Sequence, residues 1–410
     1  MAIIKRIAKG LALLIGVLVL AGVVFLASDW RFYKRLATFD RMNSMTNMEW
    51  FDPVIEVKPG QTFDLVVAES GERTLSDDLL ADLEAYAEGN GSMSLLVWHK
   101  GALQMEWYGE GSDRTSYMES ASMHKSVMAL LYGLAIDQGF IPSVDEPAAT
   151  YLTEWQNDAR SKITIRNMLQ MAHGLSRASG GFSLLGDNMK LNMGTDWAGI
   201  ALKSQAEDPP NTVFAYSNLN AQLLGLILQR ATGMPYAEFL ETALWSKVAE
   251  SSAWVWLDRP GGLAKTSGSL FTPARNWLRL GLLHFNSGRV GDEQVVPEDW
   301  IAEVITPSPN NPNYGLQTWL GTEYREKVDY GKGVAAYVPH SEPFEARDVV
   351  YFDGAQGQRV YIIASEDLVI VRMGKGGLDF KTGAFLWDEP ELPNLIIRSI
   401  RGADQTPVEP

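Results

Sequence analysis

The chain has 410 residues, a formal charge of −15 at neutral pH and no cysteine. That charge repels nucleic-acid phosphates and anionic surfaces, and no long Lys/Arg run reverses it locally, which excludes nucleic acid as a partner class. The missing thiols exclude disulfides, cysteine nucleophiles and thiolate metal sites, while 46% hydrophobic residues with 13 Trp, 14 Tyr and 15 Phe supply a large globular core.

Residues 10–28 carry no charge and approach the apolar length that spans a bilayer. They follow Lys5, Arg6 and Lys9, and no clean A-x-A cleavage site stands near Phe25 to mark a signal peptide. Residues 1–28 are therefore read as a single-pass membrane anchor, with the remainder of the chain expected outside the cytoplasm. Arg31, Lys34 and Arg35 beyond the span balance the N-terminal cations and weaken the charge argument for that orientation. Residues 29–62, with Pro53, Pro59 and Gly60, read as a juxtamembrane connector to a body over 63–402.

Within the body, Ser76 before Asp77 and Asp78, with Leu79, Leu80, Leu83 and Tyr86 at helical spacing, predicts a capped helix ending at Gly89. Residues 94–98 and 103–107 predict a hairpin. From 122 to about 283 the pattern is mainly helical, with apolar faces at 127–136, 165–171, 220–230 and 277–284. Strands return at 359–363 and 368–373, and 392–400 predicts a closing helix. The fold class is α+β: an antiparallel sheet of N- and C-terminal segments with an inserted helical subdomain.

Two motifs carry chemistry. Ser122-Met123-His124-Lys125 opens a helix, so Ser122 and Lys125 share a face at an N-terminus that favours developing negative charge. A serine hydroxyl attacks only when a base takes its proton, and burial makes a lysine such a base. Tyr216-Ser217-Asn218 lies in a loop just ahead of another helix. A phenol with its pKa lowered by a neighbouring ammonium can relay the proton, and Asn218 can hold Lys125 at one end of its amide and a substrate carbonyl at the other. The bland alternatives are a chance S-x-x-K and an ordinary buried tyrosine.

Together the motifs resemble the serine hydrolases related to class C β-lactamases, a group with esterases, D-amino-acid peptidases and 6-aminohexanoate-dimer hydrolases. ITIRNMLQMAHGL at 163–175, PPNTVFAYSN at 209–218, SGSLFTPARNWLRLG at 267–281 and YGLQTWL at 314–320 extend the resemblance over about 76–400. It implies the β-lactamase/DD-peptidase fold, Ser122 as acylated nucleophile, and Lys125 and Tyr216 as the base and acid pair. No cofactor or metal is implied.

The family's third element is usually K-T-G or H-x-G on a strand edging the site. Lys265-Thr266-Ser267-Gly268 has an extra residue, and Lys381-Thr382-Gly383 matches literally but is followed only by a Pro-rich turn and one helix. Gly354-Ala355-Gln356-Gly357-Gln358 lacks the lysine yet opens a strand, and resembles the G-x-x-G-Q form of the esterase and aminohexanoate branch. The expected substrate-binding and oxyanion residues are accordingly Asn218, Gly354, Ala355 and Gln356, with Ala355 giving the backbone donor. Loss of the lysine argues against β-lactam specialisation and leaves a small ester or amide with an apolar acyl part as the expected substrate. No G-x-S-x-G elbow or H-E-x-x-H exists, and the five histidines fit neither a triad nor a zinc site, though His173 could line the pocket rim. Gly331-Lys332-Gly333-Val334-Ala335-Ala336 imitates a dinucleotide loop, but with no strand expected before it the match is read as accidental. A catalytically silent, membrane-tethered sensor on the same fold is the alternative from another class.

Overall fold

β-rich runs from both ends of the chain meet in one six-stranded antiparallel sheet. Its strands are β1 (Ser92–His99), β2 (Ala102–Tyr108), β3 (Trp319–Leu320), β4 (Val349–Gly354), β5 (Gln358–Ile363) and β6 (Leu368–Gly374). They lie in the order β2-β1-β6-β5-β4-β3. The structure, a computed structural model, describes residues 1–40, 46–61, 63–179, 183–379 and 381–404.

Among the described residues the seven longer helices are α1 (Ala2–Ser28), α2 (Trp30–Thr38), α3 (Asp77–Gly89), α4 (His124–Asp137), α5 (Asn218–Thr232), α6 (Ala274–Phe285) and α7 (Glu391–Asp404). Strand side chains alternate between faces, and both faces of this sheet are covered. Leu96, Val360, Ile362, Val369 and Val371 pack on the side of α6 and α4, whereas Leu95, Val97, Tyr361, Ile363 and Ile370 pack beneath α3 and α7. That double burial is why β5 and β6 read as nearly unbroken apolar runs. Helix α6 comes close through Gly281, where a Cβ would stand 2.8 Å from methyl carbons of both Val360 and Val369.

The predicted helix at 77–89 forms with Ser76 as its cap, the hydroxyl accepting from Leu79 N at 3.2 Å. The hairpin turns through Lys100 and Gly101 at φ 48° and 94°, the left-handed pair that a two-residue hairpin loop needs. The helical region is interrupted by a second sheet that periodicity did not reveal. Its strands Val54–Val57, Ala253–Trp256, Leu270–Thr272 and Met118–Glu119 pair in that order, and with two to four residues each they are too short to show alternation.

Part of the segment read as a connector is docked on the body. Phe32 of α2 is fully buried, and the Arg35 guanidinium donates to the carbonyl oxygens of Met193, Gly194, Asp52, Leu257 and Asp258. Val54–Val57 then enters the second sheet beside Ala253–Trp256. Pro and Gly content marks turns but not the short elements between them. Within α1, residues Lys5–Val24 form a helix long and apolar enough to cross a membrane, none of it buried inside the protein.

Candidate active site

The strand Met118–Glu119 delivers the chain to a tight turn, Ala121–Met123, from which α4 starts. Ala121 sits at φ 45°, a left-handed conformation that costs an alanine about 1 kcal/mol or more and persists only when neighbours enforce it. Two glycines are those neighbours. A Cβ on Gly354 would stand 2.5 Å from the Ser120 carbonyl oxygen, and one on Gly268 would stand 3.1 Å from that of Ala121. Clamped between β4 and the 265–269 segment, the turn presents Ser122 at the head of α4.

One helical turn on, Lys125 is almost fully buried. Its Nζ makes three contacts: Ser122 Oγ at 2.8 Å, Asn218 Oδ1 at 3.0 Å and the Ser267 carbonyl oxygen at 2.8 Å. Burial pulls the lysine pKa down to about 7, against the opposing pull of the Asp353 and Glu119 carboxylates. Asn218 opens α5, which Ser217 caps by accepting from Asn220 N at 3.3 Å. Tyr216 stands beside both groups: its ring centroid lies 4.8 Å from Lys125 Nζ, and the Ser122 hydroxyl acts on its phenol, favouring the ionised form.

The Tyr216 phenol differs from expectation in one respect. Its pKa is raised, not lowered, chiefly by burial and further by the Asp353 carboxylate. The sequence shows a neighbouring lysine but not the desolvation that sets the sign of the shift. At neutral pH the phenol is therefore un-ionised and able to accept one proton while giving another.

These groups open into a cavity of about 190 Å³, on whose wall stand Ser122, Tyr216, Asn218 and Ala355. Gly354 and Gln356 are not on that wall. Gly354 is buried against the Ser120–Ala121 turn, and Gln356, at φ 65°, faces the 374–377 segment, its carbonyl accepting from Gly376 N at 2.9 Å. Six further lining residues were not expected at the site: Arg177, Tyr330, Val334, Ala336, Asp353 and Phe385. Only Asp353 left a trace, as an acid within an otherwise apolar strand.

Asp353 is buried, with Oδ2 accepting from the Tyr330 hydroxyl at 2.9 Å and Oδ1 lying 2.6 Å from Arg359 Nη1. Burial raises its pKa, and Arg359 opposes that rise. Arg359 also pairs with the buried Glu389 through Nε and Nη2, both at 2.7 Å. Tyr330, in turn, accepts Tyr216 N on its carbonyl at 3.0 Å and packs edge-on against the Tyr216 ring at 5.2 Å.

The rejected candidates for the third motif lie elsewhere. Lys381 is in an exposed turn, its N–H donating to Asp379 Oδ1 at 2.8 Å. Lys265 is buried behind the site, with Nζ donating to the Leu191 carbonyl at 2.6 Å and lying 4.6 Å from the Trp197 ring centroid. None of the five histidines lines the cavity. His173, expected at the rim, is buried between Leu175 N and the Ala215 carbonyl, and His124 is sequestered between Gly268 O and the Tyr236 hydroxyl, each 2.9 Å away.

Comparison with known proteins agrees with this architecture. The β-lactamase family model matches residues 77–381. The chain is 25% identical over 245 residues to the 6-aminohexanoate-dimer hydrolase of Paenarthrobacter ureafaciens, an alignment covering 55% of this chain and 60% of that protein. Among solved structures, a putative 6-aminohexanoate-dimer hydrolase from Bacillus anthracis superimposes with a TM-score of 0.70 at 19% identity, over 89% of this chain and 95% of the other. A class C β-lactamase from Rhodobacter sphaeroides gives 0.53 at 17% identity, over 81% and 100%. With a family match across well over half its length and this shared fold, the chain belongs to the β-lactamase family of serine hydrolases.

Proposed function

We propose that the protein cleaves a small ester or amide through a covalent acyl-enzyme on Ser122, with Lys125 and Tyr216 as its proton relay. The carrying observation is the setting of Lys125, a buried amine of pKa about 7 lying 2.8 Å from Ser122 Oγ. As a neutral amine it has two N–H donors, which the Ser267 carbonyl and Asn218 Oδ1 accept, and one lone pair left for the Ser122 proton.

In the first step Ser122 Oγ bonds to the substrate carbonyl carbon as its proton passes to Lys125. The oxyanion is stabilised by the backbone N–H groups of Ser122 and Ala355. When the bond to the leaving group breaks, the Tyr216 hydroxyl gives its proton to that group and takes one from Lys125. Water then attacks the acyl carbon, loses a proton to the same relay, and releases the acid with Ser122 restored. The small cavity, its Val334, Ala336 and Phe385 wall, and the absence of a third-motif lysine support a small substrate with an apolar acyl part. The similarity to a hydrolase of 6-aminohexanoate dimer supports the same size class.

We also propose that α1 holds the enzyme in a membrane with its body outside the cytoplasm. Fractionation tests the anchor: full-length chain in a detergent-free soluble fraction would count against it. The hydrolase reading is tested by labelling with a fluorophosphonate. A mass adduct at Ser122, lost in Ser122→Ala together with turnover of a short-chain p-nitrophenyl ester, supports it. A chain that neither labels nor turns over is the silent sensor instead.

A further inference from the structure

Arg177 is the cation in the wall of the catalytic cavity that the relay does not use. Its position is set by backbone: Nη1 donates to the carbonyl oxygens of Tyr216 at 3.4 Å and Lys332 at 3.2 Å. Gly333 makes room for it, since a Cβ there would stand 2.8 Å from Arg177 Cδ. In a chain with 50 acidic and 35 basic residues, Arg177 has no carboxylate within ion-pair distance among the described residues. The nearby acids are committed elsewhere. Asp353 is taken by Arg359 and Tyr330, and Asp208 and Glu207 by Lys332. Partial desolvation without a counter-charge is also reflected in the arginine's lowered pKa. Arg177 is exposed on the cavity wall, so its guanidinium is within reach of an arriving anion, and it offers a planar fork matched to carboxylate.

We infer that Arg177 is a specificity-determining residue, and that the substrate is an ester or amide bearing a carboxylate, which Arg177 holds while the scissile carbonyl lies at Ser122. This deepens the hydrolase reading and rests on it. The carboxylate would be recognised from the 177 rim, opposite in origin to the strand lysine that this chain lacks. Val334, Ala336 and Phe385 supply apolar wall for the carbon chain between the two groups.

The test compares kcat/KM for matched neutral and anionic esters: p-nitrophenyl butyrate against mono-p-nitrophenyl glutarate for an acyl-side carboxylate, and phenyl acetate against 3-carboxyphenyl acetate for a leaving-group carboxylate. We expect a preference of about tenfold or more for the anionic member of one pair, appearing mainly in KM. Arg177→Gln should lower that ratio toward one, and Arg177→Lys should keep part of it. Raising the salt should also lower the wild-type ratio, which gives a readout if Arg177→Gln fails to fold. Turnover of neutral esters with no anionic preference in either pair, or a ratio unchanged in Arg177→Gln, overturns the inference and leaves the hydrolase reading standing. Turnover of none of the four esters overturns both.

Discussion

Lys125 Nζ donates to the Ser267 carbonyl oxygen at 2.8 Å, a bond the amine keeps whether or not it carries the extra proton. Only the contact with Ser122 changes character on titration, from a lone pair that accepts to an N–H that donates. The free enzyme should therefore be active with Lys125 neutral, and kcat/KM should climb with pH through about 7 to a plateau. No alkaline fall is expected until the phenol ionises, which burial pushes above the usual range for tyrosine. A profile already flat from pH 5 to 8 would remove Lys125 as the base. Lys125→Ala and Tyr216→Phe should each lose on the order of a hundredfold in turnover.

The Asp353 carboxylate provides a check on the same assignment. Its negative charge raises the Lys125 pKa against burial, so removing it lets burial act with less opposition. Asp353→Asn should shift the rise in kcat/KM to lower pH, while Tyr330→Phe, which keeps the charge but cuts the 2.9 Å hydrogen bond, should shift it far less. Movement of the limb to higher pH in Asp353→Asn would contradict this electrostatic account.

The grouping of Ser122, Lys125, Tyr216 and Asn218 around one cavity was legible because these side chains stand at helical spacing or in one short loop. β5 and β6 were legible too, because their apolar runs are nearly unbroken. What escaped was contact across distance. Ser267 acts through a carbonyl, which leaves no mark on residue identity, and Tyr330 meets Asp353 only because β4 returns beside the 330 loop. The sign of the Tyr216 shift escaped for the related reason that burial is a property of packing. The second sheet escaped because strands such as Met118–Glu119 are too short to show a period.

The third-motif assignment separates two segments by their chemistry. Ala355 stands on the cavity wall, while Lys381 is in an exposed turn. Ala355→Pro deletes a backbone N–H and should lower turnover by roughly two to three orders of magnitude, provided circular dichroism shows an intact fold. Lys381→Ala should stay within a few-fold of wild type. The reverse pattern would move the oxyanion donor off β4.

Docking of residues 30–38 and 51–57 makes the last prediction one of stability. Arg35 is buried and its guanidinium serves five backbone carbonyls, so Arg35→Ala leaves several of them without a donor in a dry interface. The expected loss is on the order of 3 kcal/mol, read as a lower melting temperature in detergent. Truncation separates the anchor from this interface. A chain starting at residue 29 keeps α2 and the strand Val54–Val57 and should melt close to the full-length protein. A chain starting at 63 loses both, exposes the Ala253–Trp256 edge and the aromatic cluster of Trp256 and Phe271 that Phe51 covers, and should melt well below it or aggregate. Equal melting of the two truncated chains would make residues 29–62 a loose tether after all.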